Sequence, residues 1–281
     1  MKIDLHTHTI YSDGSLSPKE IIDLAIKRKV KILSITDHDV VSALSSALKY
    51  SEGKDIEIIT GIEISSKVRC SKEKIHMVGL YFNHKHKKIK ELSNRKIKLR
   101  KIKIRKILRL VNNYFKTNIT FNEIKAKTKG FPSVPHIAMV LLDKKLVKSI
   151  KEGIKALIKG GPCYLKQLYD EIYADEAIKI IHEAGGIAVL AHLSMYKYED
   201  KFKTFKEQET LIKELIRYGL DGLEIYVPNT NKEEIKFGEH MAKKYNLKLS
   251  GGSDFHDEKF IPQNKLGFLD IKKEKITVLT K

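Results

Sequence analysis

The chain has 281 residues, of which 42% are hydrophobic and 32% charged, with no tryptophan. That balance excludes a disordered or fibrous protein and leaves one large domain, or a domain carrying an insertion. Lys and Arg number 54 against 35 Asp and Glu, a net +19, which favours anionic partners such as nucleic acid, nucleotides or a membrane surface, although lysine kept for solubility gives the same composition.

No apolar run nears the roughly 18 residues a membrane span needs. The opening Met1-Lys2-Ile3-Asp4 has no apolar stretch of the secretion-signal kind. Cys70 and Cys163 lie far apart and outside any C-x-x-C pattern, so neither a disulfide framework nor a thiolate zinc site is expected, and a reducing cytoplasm fits.

In chain order, Ile3–Leu5 reads as a short strand. Ser17-Pro18-Lys19-Glu20 opens a helix, with Ser17 as N-cap, Pro18 in the first turn and Glu20 completing a capping box. Ile21, Leu24 and Ala25 give that helix an apolar stripe. Val30–Thr36 reads as a buried strand, Ser42–Tyr50 as a helix, and Glu57–Ile64 and Ile75–Phe82 as strands. Strands separated by helices predict a parallel α/β sheet or barrel over residues 1–83.

From 84 to 170 strand patterns stop. Between His84 and Leu110 there are thirteen Lys or Arg and one acid, Glu91. Ile97, Ile104, Leu108 and Val111 share one helical face, widened by Leu99 and Ile102, which predicts a long basic helix and then shorter ones, broken at Gly130-Phe131-Pro132 and Gly160-Gly161-Pro162. Residues 84–170 are thus expected to be an all-helical insertion, and 171–281 to complete the barrel domain. There Asp175–Ala184, Thr210–Tyr218 and Lys232–Tyr245 read as helices, and Ile187–Ala191, Gly222–Tyr226 and Lys248–Gly251 as strands.

The chemistry lies at the ends of these strands. His6 and His8 alternate onto one face after the first, with Asp13 in the loop beyond. His38 ends the second strand, Glu63 lies near the end of the third, and His76 lies in the next. His192 follows Ala188–Ala191, and Asp254 and His256 follow Leu249–Gly252. One such histidine is ordinarily structural. Nine His, Asp and Glu residues recurring where α/β barrels assemble their sites are hard to explain by packing, because unpaired buried acids and imidazoles are costly. Divalent ions remove that cost, and imidazole and carboxylate without thiolate suit Mn²⁺, Fe²⁺ or Zn²⁺. Two or three such ions would generate hydroxide near neutral pH and clamp a phosphoryl oxygen.

These segments carry a resemblance. Asp4-Leu5-His6-Thr7-His8, Tyr11–Pro18, Ile35-Thr36-Asp37-His38-Asp39, Gly61–Ser65, His76–Leu80, Ala184–His192 and Gly252–His256 closely resemble, in order, the motifs of PHP-domain metallophosphoesterases. The likeness runs from residue 2 to about 268. The helical insertion and Pro135-His136-Ile137-Ala138 resemble the branch containing 3′,5′-nucleoside bisphosphate phosphatases and 5′→3′ exoribonucleases. The resemblance implies a distorted (β/α)₇ TIM-like barrel with up to three metals. His6, His8, Glu63 and Asp254 would hold the first ion. Glu63, His76 and His192 would hold the second with Glu63 bridging, and Asp13, His38 and His256 the third. Glu63 is then central to catalysis, and Asp39 or His256 would protonate the leaving oxygen.

Two positions depart from the branch. Val134 stands where it usually has an arginine suited to phosphate, and Leu193 where it usually has proline followed by a basic residue. His136 and Lys197 are the candidate substrate contacts that remain. Other residues have plainer readings: His182 and His240 as structural, His84 and His86 as solvated, and Asp37 either orienting a metal-bound histidine or, as a turn residue, capping the next helix. Tyr164 and Tyr169 are read as core aromatics with base stacking as the alternative. The basic run is either a polynucleotide track or the wet face of an amphipathic helix. The expected activity is hydrolysis of a small phosphorylated nucleotide, most simply at the 3′-phosphate of a 3′,5′-bisphosphonucleotide, with trimming of short RNA. A phosphatase for another phosphomonoester such as histidinol phosphate, or a non-catalytic nucleic-acid-binding module, are the rival readings.

Overall fold

The structure is a computed structural model that describes residues 1–128, 130–165, 172–198, 202–258 and 261–280. Its strands are β1 (Lys2–Asp4), β2 (Val30–Ile35), β3 (Glu57–Lys67), β4 (Lys74–Leu80), β5 (Ile172–Tyr173), β6 (Ile187–Leu190), β7 (Gly222–Tyr226) and β8 (Lys248–Gly251). Its helices are α1 (Pro18–Lys27), α2 (Leu44–Ser51), α3 (Lys87–Phe115), α4 (Phe121–Lys125), α5 (Val134–Asp143), α6 (Ile150–Leu157), α7 (Ala174–Glu183), α8 (Met195–Tyr198), α9 (Phe205–Arg217) and α10 (Lys232–Tyr245).

Local chemistry sets the helix starts. The Ser17 N–H donates to Glu20 at 2.7 Å and the Glu20 N–H to Ser17 at 3.3 Å, while Ile21, Ile22 and Ala25 bury the inner face of α1. The helix expected from Thr210 begins earlier, at Phe205, because Thr204 and Glu207 form a second capping box. Asn231 and Glu234 do the same for α10.

Seven strands follow one path, β1-β2-β3-β4-β6-β7-β8, with β5 paired to β3 beside it. The path closes on itself. Leu5 N–H donates to Gly251 O at 3.2 Å, His8 N–H to Phe255 O at 2.8 Å, and Thr7 pairs in parallel with Phe255. The result is a distorted (β/α)₇ barrel. One strand departs from the parallel expectation: β4 runs antiparallel to both β3 and β6. Only residues 68–73 join β3 to β4, too few for a parallel crossover, so the chain turns back as a hairpin. This reversal carries His76, near the start of β4, to the same rim as the ends of the other strands.

Two apolar cores result. The barrel core includes Ile89 and Leu92 from the first turns of α3. The second core, built by Ile104, Ile107, Leu108 and Val111 of α3 with α4–α6, lies within residues 104–165. At 29 residues α3 is about 44 Å long, enough to serve both. Its apolar face is narrower than expected: Ile102 is exposed and Leu99 and Ile97 are half-buried, while Lys96 is buried. The insertion also docks on the loop after β1, where Phe131 N–H donates to Ile10 O at 2.9 Å. A Cβ on Gly130 would lie 1.4 Å from that same oxygen, so only glycine permits the approach. Among the described residues, no helix is long and apolar enough to cross a membrane.

Candidate metal centre

His6 and His8 leave β1 on the inner face, both fully buried. Both oxygens of Glu224, in the middle of β7, lie 3.0 Å from His6 Nδ1. Nδ1 is thus placed to donate its proton to the carboxylate, and Nε2, aimed inward, is the atom left to serve as a ligand. His6 Nε2 lies 3.2 Å from Glu63 Oε2 and 3.5 Å from Asp254 Oδ1. His8 Nε2 lies 3.2 Å and 3.1 Å from the same two oxygens. The ligand atoms of His6, His8, Glu63 and Asp254 all fall within 4.8 Å of one another.

Glu63 looks two ways. Its Oε2 faces His6, His8 and, at 3.0 Å, His38 Nδ1. Its Oε1 faces His76 Nδ1 at 2.8 Å and His192 Nε2 at 3.1 Å. His38, Glu63 and His76 form a second group within the same 4.8 Å limit, and His8, Asp13, His38 and His256 a third. His192, expected with the second group, lies against it, 3.2 Å from His76 Nδ1. Glu63, His8 and His38 each belong to two groups, so the three form one continuous centre.

The backbone turns hard to aim these side chains. His192 (φ +33°), Asp254 (φ +51°) and Asp39 (φ +59°) all occupy left-handed conformations that non-glycine residues adopt only when their surroundings hold them. His192 is held by its N–H donating to Glu224 Oε2 at 2.8 Å. Asp254 is held through its carbonyl, which accepts from Asn264 Nδ2 at 3.1 Å. Asp39 is held by its N–H donating to Glu63 O at 2.7 Å.

The centre fits cations. Buried side-chain atoms without a hydrogen-bond partner include His6 Nε2, Asp13 Oδ1, His38 Nδ1 and Glu63 Oε2, all pointing into it. Such orphans are expensive unless something completes them, and their chemistry, imidazole nitrogen beside carboxylate oxygen, is that of a divalent-metal site. Charges already respond to one another. Burial would raise the Glu63 pKa, but the imidazoles of His38, His6 and His76 outweigh it and hold the carboxyl well below its ordinary range. Burial takes His38 down to about 4 despite Glu63 and Asp13. For His256 the balance reverses: against the lowering by burial, Asp13 and Asp254 lift it to about 10. At pH 7 His256 is therefore protonated, and an ion bound by the third group must expel that proton. Affinity at that group should rise with pH, by up to about tenfold per unit for each proton released. Calorimetric titration in buffers of different ionisation heat checks this, and an affinity flat from pH 6 to 8 would contradict it.

All nine strand-end residues thus meet in one place. The remaining candidates divide. Asp39 sits at the rim but turns to the insertion: its Oδ1 accepts from Ser65 N–H at 2.9 Å, with Lys96 Nζ at 3.5 Å and Arg100 Nη2 at 3.8 Å from the carboxylate. His136 lies in the first turn of α5, and its Nδ1 accepts the Ser133 N–H at 3.0 Å. Burial lowers the pKa of His136, with Asp13 acting in the opposite direction. That keeps the ring neutral with its proton on Nε2. The Lys197 side chain and Tyr169 lie outside the described residues, and Tyr164 is half-buried. Asp37 does neither job foreseen for it. Its carboxylate accepts from Thr9 N–H, Thr9 Oγ1 and Ser12 Oγ at 2.6–2.7 Å and so shapes the loop after β1. His84 contacts Ser45 Oγ at 3.1 Å and His182 contacts Asp221 at 2.7 Å.

Four residues escaped the sequence reading. Glu224 fixes both His6 and His192. The Tyr196 hydroxyl accepts the His76 N–H at 3.0 Å. Lys96 and Arg100, inside the basic run, reach the loop after β2, and Arg100 donates to His38 O.

The chain is similar to known proteins over most of its length. Residues 4–227 match the family model described as "PHP domain". A 5′-3′ exoribonuclease of Haemophilus influenzae is 31% identical over 91% of this chain and 90% of its own length. A 3′,5′-nucleoside bisphosphate phosphatase of Chromobacterium violaceum is 30% identical over 90% of this chain and 87% of its own. A phosphoribosyl 1,2-cyclic phosphate 1,2-diphosphodiesterase of Eggerthella lenta is 25% identical over 90% and 93%. Among solved structures, one from Bifidobacterium adolescentis shares the fold, superposing with a TM-score of 0.80 over 98% of this chain and 93% of its own, at 22% identity.

Proposed function

This chain belongs to the PHP-domain family and is a metal-dependent phosphoesterase, and from that premise we propose that it removes the 3′-phosphate of 3′,5′-bisphosphonucleotides and trims short RNA from the 5′ end. The observation that supports a phosphoryl substrate is the convergence of three donor groups, each within 4.8 Å, on one buried space. Two relatives at 30% identity or above over about nine-tenths of this chain act, by their names, on a nucleoside bisphosphate and on RNA.

Two or three divalent ions, manganese by preference, would supply Lewis acidity at the phosphoryl oxygens and an activated water. Held by the groups assigned above, they need Glu63 as the shared ligand, since its two oxygens face different groups. The chain's own residues do the rest. His6 is fixed in one tautomer by Glu224. His136, neutral and carrying its proton on Nε2, is suited to donate a hydrogen bond to a phosphate oxygen. Of the two candidates for protonating the leaving oxygen we favour His256, which holds a proton at neutral pH whenever the third group carries no ion. Asp39 is instead an anchor, occupied by Ser65, Lys96 and Arg100. Val134 packs half-buried against the insertion core and Leu193 is buried in the barrel core. Nucleotide recognition therefore rests on His136 and the basic insertion rather than on those two positions. Two free cysteines suit a reducing cytoplasm.

The test is manganese-dependent phosphate release from adenosine 3′,5′-bisphosphate, set beside histidinol phosphate and a ribose 1,2-cyclic phosphate. A kcat/KM at least about tenfold higher for the bisphosphonucleotide is expected. Preference for either of the others would move the assignment to that substrate.

A further inference from the structure

The insertion holds a second opening at the far end of α3. A cleft of 370 Å³ is lined by Tyr114, Phe115, Val147, Glu152, Lys155 and Lys159 among others. Tyr114 is 57% exposed and stands edge-on to Phe115, ring centroids 4.9 Å apart at 86°. It is the most open of the large apolar side chains among the described residues, and its ring offers a flat contact surface at the mouth of the cleft. The surroundings are cationic. Lys155 and Lys159 are exposed, and the lining acid, Glu152, is engaged as acceptor of the Lys148 N–H at 2.6 Å. A flat π surface flanked by ammonium groups is the recognition chemistry of single-stranded nucleic acid, where bases stack and phosphates pair with cations.

The helix α3 connects this cleft to the metal centre. Arg100 touches His38 O, and Tyr114 lies fourteen residues further along the same unbroken helix. That is about 21 Å of axial rise, the length of roughly six stacked nucleotides at about 3.4 Å each. Between them, Lys101, Arg105 and Arg109 recur at four-residue spacing and are all exposed. Lys101 and Arg109 have no anionic partner among the described residues.

We propose that the cleft is a distal RNA subsite: Tyr114 stacks on a base about six nucleotides downstream of the phosphate being cleaved, Lys155 and Lys159 hold the flanking phosphates, and α3 is the basic track between. The proposal rests on the reading of RNA as a substrate. It adds a length requirement, because oligonucleotides too short to reach Tyr114 lose the second foothold.

The test is fluorescence anisotropy with labelled phosphorothioate oligouridylates of 3 and 10 nucleotides, which resist hydrolysis, on the full metal-loaded chain. The 10-mer is expected to bind about tenfold or more tighter than the 3-mer. The triple variant Tyr114→Ala/Lys155→Gln/Lys159→Gln should bring the 10-mer down to the 3-mer level and make its salt slope shallower by about 1.4, two phosphate contacts at about 0.7 each. Tyr114→Phe, which keeps the ring, should retain the affinity. A 10-mer that binds no tighter than the 3-mer, or a triple variant that folds normally by circular dichroism and binds the 10-mer like wild type, overturns the subsite, whatever peptide or other occupant the cleft proves to take. Phosphate release from a mononucleotide reports separately on the catalytic reading. If it is absent while the anisotropy behaves as expected, that reading fails and the subsite stands.

Discussion

Replacing Glu63 with alanine should lower phosphate release by at least about a thousandfold. The residue is 1% exposed and faces five imidazoles with its two oxygens, His6, His8 and His38 on one and His76 and His192 on the other. Alanine removes a donor from two groups at once and takes away the carboxylate charge that would offset the charge of the cations. Glu63→Gln should be nearly as damaging despite its equal size, because one of its two faces becomes an NH₂ that repels a cation. Steady-state phosphate release and the metal content of the purified variants check both claims. Near-normal turnover with a full metal complement in Glu63→Ala would remove the basis for a shared ligand.

The second large effect is expected at Gly252, on the seam where the barrel closes. A Cβ there would lie 2.4 Å from His6 N and 2.5 Å from His6 Cβ. Its backbone is not left-handed, so the requirement is closeness rather than conformation. Neighbouring contacts keep the seam tight, with Asp4 accepting from Ser253 N–H at 2.8 Å and from Gly267 N–H at 2.7 Å. Gly252→Ala must push β8 away from β1, at a cost of about 3 kcal/mol and a fall in Tm of roughly 6–10 °C. Gly53 is the control. It has φ +73°, and a methyl added there would meet nothing within 4 Å, so Gly53→Ala should cost only the left-handed strain of about 1 kcal/mol. Calorimetry on the two variants separates these causes, and equal losses would contradict the close-approach argument.

The sequence exposed the centre well because its residues sit at strand ends, where position in an apolar run already fixes which rim a side chain reaches. His6-x-His8 needed only alternation. The fold was readable for the same reason, through the capping box at Ser17 and the regular return of strands. What escaped had weaker local signals. Glu224 is a lone acid inside the apolar strand Gly222–Tyr226, and its burial was the available clue. Lys96 and Arg100 hide among like residues, where only the phase of α3 distinguishes an inward lysine from an outward one. Ile102 erred the opposite way, an apolar residue on the wet face. The reversal of β4 is a matter of chain length between strands rather than composition. Thr204-x-x-Glu207 was fully legible and would have moved the start of α9 to its true place.

The order of the donors along the chain has a final consequence. His6 and His8 come from the first strand, whereas Asp254, 246 positions after His8, arrives only once nearly all the polypeptide is in place. An ion gripped by both therefore acts as a reversible staple across almost the whole sequence, closing a loop whose entropy is worth about 5 kcal/mol. Chelation would then loosen the architecture as well as stop the chemistry, and the first and last strands, which are stitched to each other at the seam, would be the first to part.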